Sequence, residues 1–145
     1  MNIKKAFTIM GLLLAFAIML PVAQADEANQ ATKLTFNQPV QIPGRVLPAG
    51  TYWFVLPADL TQHYLVRIFG SDRTTLYATL LTIDAERLQP TGRTAVTLAQ
   101  RGPAEPQAIV SWFYPGNTIG HEFLYPKQVQ KELATDKQNT IVAGD

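Results

Sequence analysis

Between Lys33 and Tyr125, apolar and polar side chains alternate in short runs, each stopped by proline, glycine or a polar cluster. Period-two alternation sends successive side chains to opposite faces of a strand. Lys33–Phe36 places Leu34 and Phe36 on one face and Lys33 and Thr35 on the other. Val40-Gln41-Ile42 is bracketed by Pro39 and Pro43. Prolines lack the N–H that a central ladder needs, so this piece suits a strand edge or end. After the Pro48-Ala49-Gly50 turn, Thr51–Leu56 is rich in aromatic and β-branched residues and stops at Pro57. It reads as a central strand, with Tyr52, Phe54 and Leu56 on one face and Thr51, Trp53 and Val55 on the other. Both faces are largely apolar, which predicts a strand covered on both sides.

His63–Phe69 reads as the next strand, Gly70-Ser71-Asp72-Arg73 as a turn, and Thr74–Ile83 as a long strand. The Leu76–Leu81 section is not cleanly periodic, which leaves helix open there. Thr94–Ala99 alternates, with Val96 and Leu98 inward and Thr97 outward. Ala108–Tyr114 and Ile119–Tyr125 flank a Pro115-Gly116 turn. That dipeptide suits a type II turn, whose twist does not match a tight two-residue hairpin. The two strands are therefore predicted to be joined by a wider loop, or to turn a corner between sheets. From Lys127 to Asp136 the period changes, with Val129, Leu133 and Ala134 at helical spacing. Asn139–Asp145 reads as a loose tail. About seven to eight short strands, at roughly 8–12-residue spacing, predict a mainly β fold. The expected architecture is an antiparallel β-sandwich, or a small barrel, with a short C-terminal helix.

The pattern before Asp26 is of another kind. Lys4 and Lys5 precede an apolar run from Ala6 to Leu20, Pro21 breaks it, and Ala23-Gln24-Ala25 offers a small-x-small cleavage pattern. A bilayer-spanning helix wants about 20 apolar residues, so the run reads as a secretory leader cleaved after Ala25 rather than as an anchor. The expected division is a signal peptide over 1–25, a flexible segment over 26–32, a β-domain over 33–126, a helix over 127–137 and a flexible tail over 138–145. The product would be periplasmic or extracellular, with no stable membrane insertion after cleavage.

Charge and composition then narrow the chemistry. Two of the twelve Lys and Arg side chains lie in the leader, which leaves ten against eleven Asp and Glu. That balance argues against nucleic acid and against electrostatic attraction to anionic membranes. The absence of cysteine removes disulfides, thiolate nucleophiles and cysteine metal sites, so stability rests on packing.

The densest chemistry lies in Ala108–Pro126, which holds Trp112, His121 and Glu122. His121-Glu122 begins like a zinc-protease helix motif, but Phe123-Leu124-Tyr125 follows where a second histidine is required. A metal site from His121, His63 and a carboxylate such as Asp72 or Glu122 is not fixed by any spacing, and no metal or other cofactor is expected. Ser71 and Ser111 are the only serines, and neither sits in a G-x-S-x-G elbow. A Ser111–His121 pairing across a hairpin is geometrically conceivable. Asp59, Asp72, Asp84, Glu86, Glu105 and Glu122 are scattered, and nothing selects the pair a glycosidase needs. Glu122 reads as the solvent face of an edge strand. The aromatic residues chiefly fill a core, and Trp53 or Trp112 is the candidate for an exposed binding platform.

Leu34-Thr35-Phe36, Leu47-Pro48-Ala49-Gly50-Thr51-Tyr52 and Val66-Arg67-Ile68-Phe69, with Trp112-Phe113-Tyr114-Pro115-Gly116 and Gly120-His121-Glu122-Phe123, carry a resemblance. Over roughly 31–127 the chain resembles small exported bacterial β-domains of unknown function. The resemblance implies an exported β-rich domain and brings no catalytic or ligand-binding residues with it. The residues themselves point to a non-enzymatic protein that binds a glycan, a protein or an apolar ligand at the cell envelope through Trp53, Trp112, His121 and Glu122. The alternatives are a small hydrolase or metal-dependent enzyme using His121 with Glu122 or His63, and a structural envelope or stress protein without a ligand.

Overall fold

The computed structural model describes residues 30–57, 64–87, 89 and 92–142, together with the backbone of 23–26. In chain order the elements are β1 (Ala23–Asp26), β2 (Ala31–Phe36), β3 (Val40–Ile42), β4 (Arg45–Leu47), β5 (Gly50–Val55), β6 (Leu65–Gly70), β7 (Leu76–Glu86), β8 (Ala95–Ala99), β9 (Gln107–Phe113), β10 (Ile119–Phe123), the helix α1 (Lys127–Thr135) and β11 (Gln138–Val142). The fold is mainly β with one short C-terminal helix, and its sheet does not close into a barrel.

Two layers share one strand. β1, β2, β5, β6 and the first half of β7 form an antiparallel N-terminal layer. The second half of β7, from Thr82, leaves β6 and pairs with β10. β10 then pairs with β9, β9 with β8, and β8 with β11, which makes the C-terminal layer. β3 joins this layer by running parallel to the start of β9, with Val40 opposite Gln107 and Gln41 opposite Ala108. β4 pairs with β3 across the Pro43-Gly44 turn. One edge of β9 is thus divided between β3 and β10.

The layers face each other across an aromatic core. Phe54 on β5 meets Trp112 on β9 edge-on at 5.9 Å between ring centroids, and Phe123 on β10 at 6.2 Å. Both geometries set the positive edge of one ring against the negative face of another. Thr94, just before β8, donates to the Thr32 hydroxyl on β2 at 3.4 Å, a buried polar link between the layers. Two register shifts bend the strands around this core, one between Ile68 and Phe69 and one between Thr97 and Leu98. Such bulges increase local twist.

The pairing corrects some expectations and bears out others. Among the described residues eleven strands form, where the alternation suggests about seven to eight. β4 and β11 account for part of the excess, since three to five residues leave little periodic signal. Leu76–Leu81 is extended, as the reading of Thr74–Ile83 as a long strand expects, with Leu81 to Ala78 held in register with β6. The supposed tail enters a sheet: Gln138–Val142 pairs along the whole of β8, and Ile141 packs against the core. Ala31 and Thr32, assigned to a flexible segment, begin β2 and are buried. Only one face of β5 is buried, with Tyr52 and Phe54 inward and Thr51, Trp53 and Val55 half-buried on the other side. The loop joining β9 to β10 is the wider kind, with Gly116 at φ +84° and the Asn117 N–H donating to the Tyr114 carbonyl at 3.1 Å. The leader residues 1–22, together with Asp59 and His63, lie outside the described residues.

α1 packs its Leu133 and Val129 onto the C-terminal layer. Arg101, just after β8, pins it there through Glu132 at 2.6 Å and Asp136 at 3.8 Å. The Gln138 amide donates to the Leu133 carbonyl at the helix end, so the chain turns directly from α1 into β11.

Candidate functional site

Strand alternation separates the two residues that sequence adjacency joins. On β10, His121 faces inward with Phe123, while Glu122 faces outward. His121 stands opposite Trp112, their rings 5.7 Å apart and tilted by 30°. Its Nδ1 lies 3.1 Å from the Thr82 hydroxyl, which itself donates to the Tyr64 carbonyl at 3.2 Å. With that hydroxyl proton engaged, Nδ1 is the donor of the pair. Trp112 has no exposed surface. It is therefore a core residue rather than a binding platform, which corrects its assignment as a ligand residue. His121, tied to Trp112 and Thr82 on the same inward face, cannot act together with Glu122.

Outward, Glu122 belongs to a cross-strand row. It pairs in register with Ser111 on β9, Ser111 with Thr97 on β8, and Thr97 with Thr140 on β11. Cross-strand partners share a face with their Cβ atoms about 4.5–5.5 Å apart, so the four side chains line up across four strands. The Thr97 and Thr140 hydroxyls are 2.9 Å apart. Glu122 is not on an edge strand, because β10 lies between β7 and β9. Its carboxylate accepts from the Gln130 amide of α1 at 3.4 Å. Gln130 also uses its Oε1 to accept from the Tyr125 N–H at 3.2 Å, which fixes the amide orientation.

α1 covers only part of this face. Between it and the row opens a cleft of about 420 Å³, bounded by Gln130 and Leu133 on the helix and by Phe113 and Arg87 at the far side. Gly120 shapes that far side. A Cβ at this position would lie 2.6 Å from the Phe113 ring and 2.7 Å from the Trp112 carbonyl oxygen. The absent side chain lets the Phe113 ring lie across β10. The Arg87 guanidinium rests over that ring, 5.1 Å from its centroid, and its Nη1 is buried with no hydrogen-bond partner.

Chemically the cleft offers hydroxyls that both donate and accept, two carboxylates from Glu86 and Glu122, two side-chain amides from Gln130 and Gln138, and apolar walls. Ser111 and His121 point to opposite faces of the sheet, so the serine–histidine pairing does not form. No group of three His, Asp or Glu side chains that could hold a metal occurs among the described residues. Trp53 lies elsewhere, outward on the N-terminal layer, with the Arg73 guanidinium 4.3 Å from its ring centroid. The four residues expected to form one ligand site thus fall in three places: Trp112 and His121 inward, Glu122 in the cleft, and Trp53 on the other layer. The sequence reading missed Thr97, Thr140, Gln130, Phe113 and Arg87 as cleft residues. The one signal available was the outward alternation of Thr97.

No family model matches the chain, and neither the curated proteins nor the solved structures contain a match to it.

Proposed function

We propose that this is an exported, non-enzymatic binding protein whose ligand is a small polyhydroxylated molecule, a short glycan, held in the cleft between α1 and the C-terminal layer. One observation carries this reading: Glu122, Ser111, Thr97 and Thr140 stand in an unbroken row on the face that α1 leaves open. Sugar hydroxyls donate and accept at once, and hydroxyl and carboxylate side chains answer both needs. The apolar walls, Phe113 and Leu133 among them, suit the C–H faces of a sugar ring. Known ligand pockets span roughly 300–1,000 Å³, and this cleft falls in that range. The leader-like pattern of Lys4 to Ala25 supports an encounter with such a ligand at the cell envelope or outside it.

A glycan array followed by calorimetry on the purified protein tests the reading. Each lost hydrogen bond is worth on the order of tenfold or less in affinity, so Ser111→Ala and Glu122→Gln should each weaken binding by up to about that factor. Thr79→Ala, outward on the other layer, should leave it unchanged. Silence across the array, or binding that both cleft variants retain in full, would reject it. The rival hydrolase reading through His121 and Glu122 gains nothing from residues on opposite faces of one sheet.

A further inference from the structure

The cut expected after Ala25 falls inside a paired strand. β1 lies antiparallel along one edge of β2, with Ala23 opposite Leu34, Gln24 opposite Lys33, Ala25 opposite Thr32 and Asp26 opposite Ala31. The other edge of β2 is taken by β5. Removal of the leader would therefore carry off all of β1 except Asp26.

Backbone alternation identifies the groups of β2 that would lose their partners. The Leu56 N–H donates to the Gln30 carbonyl at 3.3 Å, in line with the β2–β5 ladder. In an antiparallel pair, every second residue exchanges bonds with the same neighbour. Thr32, Leu34 and Phe36 accordingly bond toward β5. Ala31, Lys33 and Thr35 turn their N–H and C=O groups toward the side that β1 occupies. No proline interrupts β2. Ala31, Thr32 and Leu34 have no exposed surface with β1 in place. The cut bares a row of backbone donors and acceptors and takes a neighbour away from these buried positions. Such an edge is a template for another strand.

We propose that the processed chain pairs through the bared edge of β2 with β2 of a second copy, antiparallel and about a two-fold axis. This rests on the reading of residues 1–25 as a cleaved leader and is independent of the cleft. The edge accepts an antiparallel strand, since β1 lies on it in that sense in the uncut chain. A second copy is the fitting occupant because one event bares the same edge on every molecule. An antiparallel edge is also self-complementary: bonding groups two residues apart on one copy meet groups of equal spacing on the other. Each copy brings one such edge, so the pairing closes at two. The sheet edges formed by β4 and β11 are present before and after the cut and give no reason for a change in association. Lys33 lies on the bared edge, a charge of the kind that restrains edge pairing in natural sheets, so the dimer is weak and reversible. In the uncut chain β1 fills the edge and blocks the pairing.

The test expresses the full chain in a bacterial host, reads the N-terminus of the purified product by mass spectrometry, and follows its association by sedimentation over a wide range of concentration. The expected product begins at Asp26 and dimerises as concentration rises. Hydrogen exchange should slow over Ala31–Phe36 as the dimer forms and stay unchanged over Gln138–Val142. Lys33→Pro removes an N–H that β5 does not use and sets a ring on the edge, so it should raise the dissociation constant by about tenfold or more. Thr35→Pro gives a second reading of the same edge, and circular dichroism checks the folding of both variants. Leu81→Ser/Ile83→Ser, at exposed apolar positions of β7, should leave the dimer intact. A product that retains residues 23–25 overturns the leader reading and the proposal together. A product that begins at Asp26 overturns the proposal alone if it stays monomeric, if its dimer protects β11 rather than β2, or if the dimer is lost in Leu81→Ser/Ile83→Ser and kept in Lys33→Pro.

Discussion

The Tyr125 hydroxyl donates to the Ile109 carbonyl at 2.6 Å, at the point where the edge of β9 passes from β3 to β10. The same oxygen lies 3.2 Å from the Gln41 carbonyl of β3. A strand edge divided between two partners leaves a gap in its ladder, and the phenol fills this one. Burial pushes its ionisation well above the usual tyrosine range, so it remains a donor in alkaline solution. Tyr125→Phe keeps the ring and leaves the buried Ile109 carbonyl unsatisfied, which costs about 1–3 kcal/mol. Urea unfolding of the two proteins measures this, and an unchanged midpoint would show that the split edge needs no such bond.

The two tryptophans should separate cleanly in stability and in solvent contact. Trp112 is fully enclosed against Phe54 and His121. Its replacement by alanine should cost about 3–5 kcal/mol, the usual figure for emptying a core aromatic site. Trp53 is half-buried and contacts Arg73, so Trp53→Ala should cost roughly 1 kcal/mol. In wild type, iodide should quench part of the tryptophan fluorescence; in Trp53→Phe the remaining emission should be nearly insensitive to it. Equal quenching in both proteins would contradict the burial of Trp112.

These residues also show what alternation alone can and cannot convey. It separates His121 from Glu122, and Tyr52 and Phe54 from Trp53, because neighbours on a strand point to opposite sides. It does not say which side is the core when both carry apolar groups, and Trp53 and Trp112 look alike on that criterion. Nor does it carry register. The row from Glu122 to Thr140 joins residues 18 apart in the chain at its ends, and it exists only because β8, β9, β10 and β11 are aligned by hydrogen bonding. β11 escaped notice for a related reason. Asn139 to Val142 has β-branched residues suited to a strand, but its stability comes from the ready-made edge of β8 rather than from its own pattern.

Gly120 is predicted to be intolerant of even the smallest side chain. In Gly120→Ala the new methyl would meet both the Phe113 ring at 2.6 Å and the Trp112 carbonyl oxygen at 2.7 Å. The ring can move only by giving up its place under Arg87, and the carbonyl belongs to the paired strand β9. Overpacking of this kind costs about 1–3 kcal/mol. Thermal melts should show the loss, and a melting temperature equal to wild type would mean that the far wall of the cleft yields freely.

Asp72 supplies a pH dependence whose sign follows from its partners. Backbone N–H donation from Thr75, then from Thr74, and the Thr75 hydroxyl favour its charged form and hold its carboxyl well below the usual range. A group depressed in the folded state contributes stability that is present above the unfolded value, about 3.9, and is lost as pH falls through the folded one. Asp72→Asn resembles the protonated side chain at every pH. Wild type should therefore melt above the variant at neutral pH, with the gap narrowing below about pH 4 and closing in stronger acid. Melting temperatures of both proteins between neutrality and strong acid measure it. A gap that persists undiminished into strong acid would show that the turn depends on the shape of the side chain and not on its charge.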